Sequence, residues 1–223
     1  MTAAAEKERV GRAAAQLVEP GMTVGLGTGS TAAFFVDGVA DRGIEIRCVP
    51  TSEATAAMAR EKGLQVVGLA AVQEIDLTVD GVDEVDPWLN AIKGGGGALM
   101  REKIVASLSR EVVYIGDSSK RVRQLGAFPL PVEVSPFAAP AIERRLAELG
   151  AVPKLRMAGE APFVSDEGHW IVDAAFEKIE DVSELDVLLN MTPGVVAHGL
   201  FVGLIDRMIL ATADGVETLE RAA

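Results

Sequence analysis

The chain of 223 residues has one cysteine, two histidines and a shortage of positive charge. Each scarcity excludes something. A single thiol, Cys48, permits no intrachain disulfide, which fits a reducing compartment, and the expected location is the cytoplasm. Cys48 lies in the strand-like run IEIRCVP and reads as a small buried hydrophobe rather than a nucleophile. His169 and His198 stand away from the other polar motifs and read as structural histidines, so no metal is expected. Against 33 acidic residues there are 21 Lys and Arg, a formal net charge of −12. That balance repels the phosphate backbone, and nucleic acid is not an expected partner. Low-complexity tracts, blocks of like charge and solenoid-period repeats are also missing. Residues 1–18 mix charges at helical spacing and lack the apolar centre of a secretory signal. The late apolar stretch VVAHGLFVGLIDRMILATA is broken by glycines, His198, Asp206 and Arg207, so it reads as core rather than a membrane span.

What is present is a hydrophobic share of 49%, enough for a sizeable core, in strands that alternate with helices. Helices are expected over 3–18 and 32–42, and from Thr51-Ser52-Glu53 to about Glu61, where Ser and Thr supply capping chemistry. A further helix is expected to begin inside the glycine run at 94–97 and reach about Leu108. Strands are expected at 22–26, 44–49, 64–69, 76–80 and 110–117. This alternation implies right-handed crossovers and a mostly parallel sheet, with ligands at the carboxyl ends of its strands. The texture changes near Phe128-Pro129-Leu130-Pro131, after which the order is β-α-β-β-α. The expected fold is α/β: a Rossmann-like, mostly parallel sheet domain over 1–127 and 199–223, and a smaller ferredoxin-like α+β domain over 128–198.

Three strand ends carry candidate chemistry: residues 27–31 after the first strand, 80–83 after the fourth and Ser118–Lys120 after the fifth. GLGTGST, residues 25–31, joins a strand to a helix; its glycines expose backbone N–H groups, and Thr28, Ser30 and Thr31 add hydroxyls. Its spacing is neither a P-loop nor a full dinucleotide fingerprint. Asp80 and Asp83 leave a strand together as D-G-V-D. Such a pair can share a proton, hold sugar hydroxyls, cap a turn or contribute to a metal site. Lys93 stands before Gly94-Gly95-Gly96-Gly97, able to present a cation beside exposed backbone donors. Glu102 lies between Arg101 and Lys103, so by its own position it reads as a solvated, ion-pairing side chain. Taken together, these groups suit proton transfer next to a carbonyl, with a carboxylate base and an electrophile for the enediolate oxygen. No organic cofactor is required.

These segments resemble type A ribose-5-phosphate isomerase over nearly the full chain. The resemblance rests on VGLGTGSTA at 24–32, PTSEAT at 50–55, DLTVDGVDEVD at 76–86, IKGGGGALMREKI at 92–104, IGDSSK at 115–120 and LPVEV at 130–134. It implies interconversion of D-ribose 5-phosphate and D-ribulose 5-phosphate in the pentose phosphate pathway, without metal, in a homodimer or homotetramer. Glu102 would shuttle a proton between C1 and C2. Asp80 and Asp83 would bind the sugar and help open its ring, with Gly81 and Val82 between them. Lys93 would stabilise the oxyanion, and Gly94, Gly95 and Gly96 would supply backbone contacts. Thr28, Gly29, Ser30, Thr31 and Lys120 would bind the substrate, its phosphate included. Met100 stands where the family commonly has Leu or Thr and is expected to face the core. Some members add an N-terminal lysine at the phosphate; Lys7 stays outside the set because its helix register is open. Three other readings remain: an amino-sugar-phosphate isomerase/deaminase, for which a ring-opening histidine is not in view; a Schiff base on Lys93; and a sugar-phosphate sensor without turnover.

Overall fold

The computed structural model describes residues 2–213 and 215–221. Of the segments assigned above, Met1, Asp214, Ala222 and Ala223 lie outside the described residues. The first part of the chain runs α1 (Ala3–Ala15), β1 (Thr23–Leu26), α2 (Ser30–Asp41), β2 (Arg47–Pro50), α3 (Glu53–Glu61), β3 (Gln65–Val66) and β4 (Leu77–Gly81). Next come β5 (Glu84–Val85), β6 (Ala91–Ile92), α4 (Leu99–Ser107) and β7 (Val112–Gly116). The third stretch holds β8 (Leu130–Val134), α5 (Ala139–Glu148), β9 (Val152–Leu155), β10 (Met157–Ala158), β11 (Ala161–Pro162), β12 (Trp170–Ala175) and α6 (Val182–Asn190). The last strands are β13 (Val195–His198), β14 (Leu200–Phe201), β15 (Arg207–Ala211) and β16 (Val216–Glu220).

Two compact units result. The first comprises Met1–Val82, Arg101–Lys120 and Gly203–Ala223; the second comprises Asp83–Met100 and Arg121–Val202. Residues 83–100, 121–127 and 199–202, placed by sequence in the first domain, thus group with the second unit. The reason is pairing that local pattern does not announce: β6 lies antiparallel between β5 and β14. The chain passes between units at 82/83, 100/101, 120/121 and 202/203. Three of these passages fall in or directly after DGVD, MREK and DSSK.

The first unit is built on a seven-stranded sheet of order β16-β15-β7-β4-β1-β2-β3, parallel except for β16. The central strands β1 and β7 are buried along their whole length, which is why they read as unbroken apolar runs rather than alternating ones. From β1 the chain moves outward to β2 and β3, then returns to place β4 on the other side of β1. The topological switch point therefore lies between β1 and β4, where ligand crevices form at strand carboxyl ends. Val10 and Ala14 of α1, Phe35 and Val39 of α2, and the strand residues Val24, Leu26, Val79 and Ile115 fill one core. Ser52 caps α3, its hydroxyl accepting from the Thr55 N–H. The expected strand over 64–69 shrinks to the two residues of β3, followed by a 3-10 turn at Leu69–Ala71. It is an edge strand, and short edges limit unpaired backbone.

The second unit contains a four-stranded antiparallel sheet of order β13-β8-β12-β9. With the intervening helices this is the β-α-β-β-α-β ferredoxin-like plan, into which the small β10–β11 hairpin is inserted. α5 buries Ala139, Ile142 and Leu146, and α6 buries Leu185 and Leu189, spacings that place each set on one helix face. Gly150, at φ 92°, ends α5. The α/β expectation with a smaller α+β part is met. Among the described residues no helix is long and apolar enough to cross a membrane.

Cys48 lies fully buried in β2, and burial pushes its thiol up to about 12. The unfolded chain therefore releases this proton first, so the thiol subtracts stability as pH rises from its ordinary value of 9.0 towards about 12. Cys48→Ala should flatten the alkaline limb of the stability–pH curve over that window. In the wild type, Ellman's reagent should find no thiol until denaturant is added; rapid labelling of the native protein would contradict the burial.

Candidate active site

In the first unit, the loop after β1 meets the end of β4. The Gly27 N–H donates to the Val79 carbonyl (2.9 Å), and the Thr28 N–H donates to Asp80 Oδ1 (3.1 Å). The Gly81 N–H reaches the same oxygen at 2.7 Å. A side chain at residue 27 would overlap the Asp80 carboxylate, with its Cβ 2.5 Å from the Asp80 Cα. Gly27 is thus required for space, and Gly29, at φ 112°, for its backbone conformation. Gly29 is also the N-cap of α2 and offers no side-chain cap, so the first-turn N–H groups at Ser30 and Thr31 keep their anion-binding character.

The Thr28 hydroxyl sits among the hydroxyls of PTSEAT. It lies 2.8 Å from Thr51 Oγ1, 2.9 Å from Ser52 Oγ and 3.1 Å from Thr55 Oγ1. Thr51 and Thr55 in turn donate to the carbonyls of Leu26 and Gly27. PTSEAT therefore does more than cap a helix: it clamps the GTGST loop. Lys7 Nζ donates to Ser30 Oγ at 3.0 Å, which brings this cation to the start of α2. Lys120 ends the 3-10 turn Ser118–Lys120 after β7, half-buried, with its stem beside Gly116.

Glu102 departs from its solvated reading. It is 4% exposed, comparable with Asp80 at 1%. The neighbouring Arg101 pairs with Glu53 at 2.9 Å. α4 begins at Leu99, after the glycines rather than within them, so Glu102 occupies the first turn, where the helix dipole favours a carboxylate. The glycine run itself is a turn: Gly94 and Gly97 have φ of 96° and 83°, and the Gly97 N–H donates to the Gly94 carbonyl. Beside Asp80 in register stands Tyr114 of β7, fully buried. Burial first, then the charges of Asp80 and Glu102, hold its phenol well above the usual range, so it stays neutral. Asp80, Glu102 and Tyr114 form one electrostatic group. Tyr114 carries no motif; the only signal is that it is the sole tyrosine, set just before IGD.

The second unit holds Asp83, Lys93 and the glycine run. The Asp83 N–H donates to the Ile92 carbonyl, and Asp83 Oδ2 accepts from the Gly95 N–H at 2.9 Å. A Cβ at Gly95 would press on the Asp83 carboxylate at 2.9–3.0 Å. Lys93 is 2% exposed, its ammonium 5.6 Å from the centre of the Phe201 ring. The other acids of DLTVDGVDEVD have backbone duties. Asp76 accepts from the Thr23 N–H, Glu84 from those of Gly126 and Phe128, and Asp86 from those of Trp88 and Asn90. Asp80 and Asp83 also accept backbone N–H groups, from Thr28 and Gly81 and from Gly95, so backbone hydrogen bonding does not separate them from the other three acids.

A sequence model of the ribose 5-phosphate isomerase A (phosphoriboisomerase A) family matches residues 47–215. The chain belongs to that family. It is 50% identical to ribose-5-phosphate isomerase A of Caulobacter vibrioides (strain NA1000 / CB15N), an alignment spanning 99% of this chain and all of the relative. A solved D-ribose-5-phosphate isomerase in complex with phospho-erythronic acid superposes with a TM-score of 0.96 at 38% identity, covering 99% of this chain and 100% of the other. The structure from Methanocaldococcus jannaschii gives 0.94 at 36% identity, covering 98% and 100%. The isomerase expected from the motifs is met at the level of the family, as is the fold.

Gly27→Ala should force Asp80 away from the β1 loop and destabilise the fold by about 1–3 kcal/mol, the usual cost of overpacking. Gly68→Ala, at φ −86° with open space around it, should be neutral or gain up to about 1 kcal/mol. Urea melts of the two variants compare them directly, and equal midpoints would mean that the strand ends are loosely packed.

Proposed function

We propose that the chain interconverts D-ribose 5-phosphate and D-ribulose 5-phosphate by proton transfer through an enediolate. The observation that carries this reading is Glu102: a carboxylate 4% exposed, in the first turn of α4, grouped with Asp80 and the neutral Tyr114. Water is largely kept from such a carboxylate, which strengthens its action on a carbon acid. Glu102 takes the proton from C2 of the open-chain aldose and returns it to C1. Lys93, a buried cation, faces the oxygen that gains charge as the enediolate forms. Asp80 and Asp83 hold the sugar hydroxyls and assist ring opening, with Gly81 and Val82 carrying the backbone between them. Gly94, Gly95 and Gly96 contribute backbone contacts. Thr28, Gly29, Ser30 and Thr31 at the start of α2, with Lys120, take the phosphate, and Lys7 joins them through Ser30.

The complex of a relative with phospho-erythronic acid supports a phosphorylated small-molecule ligand for this chain. Proton transfer of this kind needs neither metal nor organic cofactor. Among the described residues no group of three or more His, Cys, Asp or Glu side chains is gathered as a metal site would be. The reading carries with it a place in the pentose phosphate pathway, a cytoplasmic location and a homodimer or homotetramer.

Proton NMR of D-ribose 5-phosphate in D₂O tests the reading. The wild type should form ribulose 5-phosphate and place deuterium on the exchanging carbon. Glu102→Gln keeps the shape and removes the base, and should lower turnover by about 10²–10⁴-fold while substrate still binds. Undiminished exchange in that variant would remove Glu102 from the role. Lys120→Ala should raise KM and leave kcat nearly unchanged, because a phosphate contact serves ground and transition states alike. A loss confined to kcat would instead place Lys120 at the chemistry.

A further inference from the structure

We propose that Arg156 is a positioning residue, one that fixes and polarises the glycine turn at 94–97 and acts through one peptide group on the Asp83 carboxylate. The proposal rests on the reading above, in which Asp83 and Gly94–Gly96 meet the substrate. Arg156 lies between β9 and β10, in the sequence KLRMA. Its backbone is held on both sides: its N–H donates to the Ile171 carbonyl (2.8 Å), and its carbonyl accepts from the Phe163 N–H (2.9 Å).

The side chain divides its donors. Nε and Nη2 grip the Asp173 carboxylate at 2.9 and 2.5 Å, a bidentate pair. Nη1 turns to the glycines, donating to the Gly94 carbonyl at 3.0 Å and the Gly95 carbonyl at 3.2 Å. The guanidinium also lies 5.7 Å from the centre of the Phe163 ring. The same ring fills the space of the missing Gly97 side chain: a Cβ there would lie 2.5 Å from Phe163 Cζ. A planar fork can serve a carboxylate and two carbonyls together; an ammonium cannot.

The consequence follows from peptide chemistry. The Gly94 carbonyl belongs to the same peptide group as the Gly95 N–H, and that N–H donates to Asp83 Oδ2. A cation on the carbonyl oxygen draws electron density from the nitrogen and makes the N–H a stronger donor. Asp173, Arg156, the 94–95 peptide and Asp83 thus form one polarised line. The Gly95 carbonyl likewise polarises the Gly96 N–H. Four adjacent glycines lose much freedom on ordering, and the Arg156 contacts remove that freedom before substrate arrives.

Arg156→Met, Arg156→Lys and Asp173→Asn test this on ¹⁵N-glycine-labelled full-length protein, with amide shifts, melting temperature, kcat and KM measured for each. The Gly95 and Gly96 amide protons should move upfield in Arg156→Met and partly recover in Arg156→Lys. kcat should fall by up to about 100-fold in Arg156→Met, as for a misplaced reactive geometry, and less in the other two. KM should rise as well, because Asp83 and the glycine turn also hold the ground-state sugar, and melting should not explain the ranking. Unmoved amide shifts, a kcat within twofold of the wild type in a folded variant, or losses that track melting temperature across all three overturn the proposal. A wild type that leaves D-ribose 5-phosphate untouched overturns the underlying reading instead, while responsive amide shifts would still establish the Arg156–Asp83 link.

Discussion

The first unit turns on one contact, the Asp80 carboxylate laid against the bare backbone of Gly27 and Thr28. A nearly buried carboxylate needs donors. Here they include the N–H groups of Thr28 and Gly81, supplied by the ends of the two strands that flank the switch point. The Thr28 hydroxyl continues the stitching into the start of α3. Three neighbouring strand ends are thereby fixed sideways to one another, and α2 starts from a defined place. Without that contact the turn at Gly29–Thr31 that opens α2 has no fixed relation to Asp80.

The second unit solves a similar problem with different parts. Lys93 is buried beside an aromatic ring, and Asp83 takes a backbone N–H from the glycine run. Glycine has two distinct uses in this unit. Gly94 and Gly97 adopt backbone conformations that other residues resist, whereas Gly95 leaves room for the Asp83 carboxylate. A run that looks uniform in sequence is therefore a set of separate requirements.

Much of this was legible in the residues, because strand–helix alternation, caps and glycine turns are local signals. The strands β1, β4 and β7, the Ser52 cap and the ferredoxin-like order follow from them. What was illegible is non-local. Glu102 is flanked by two cations, and nothing in that triplet tells that Arg101 pairs with Glu53 or that Glu102 is buried. Tyr114 and Arg156 look like ordinary strand residues until their neighbours on other strands are known. The assignment of 83–100 depends on β6 pairing with residues far along the chain. The start of α4 moved past the glycines because a closed turn at Gly94–Gly97 was preferred to a helical first turn.

The sheet order also bears on how the chain folds. β7 sits between β4 and β15, and β15 arrives from residues 207–211, after the whole span from 121 to 202. Pairings across such separations form slowly. Until β15 arrives, the far side of β7 is an open edge carrying VVYIG, five uncharged residues that are all buried in the finished protein. A strand of that composition, exposed in a partly folded chain, is a template for pairing with other copies. The risk of aggregation in this protein is therefore concentrated in an interior strand of its larger sheet and lasts as long as the wait for β15.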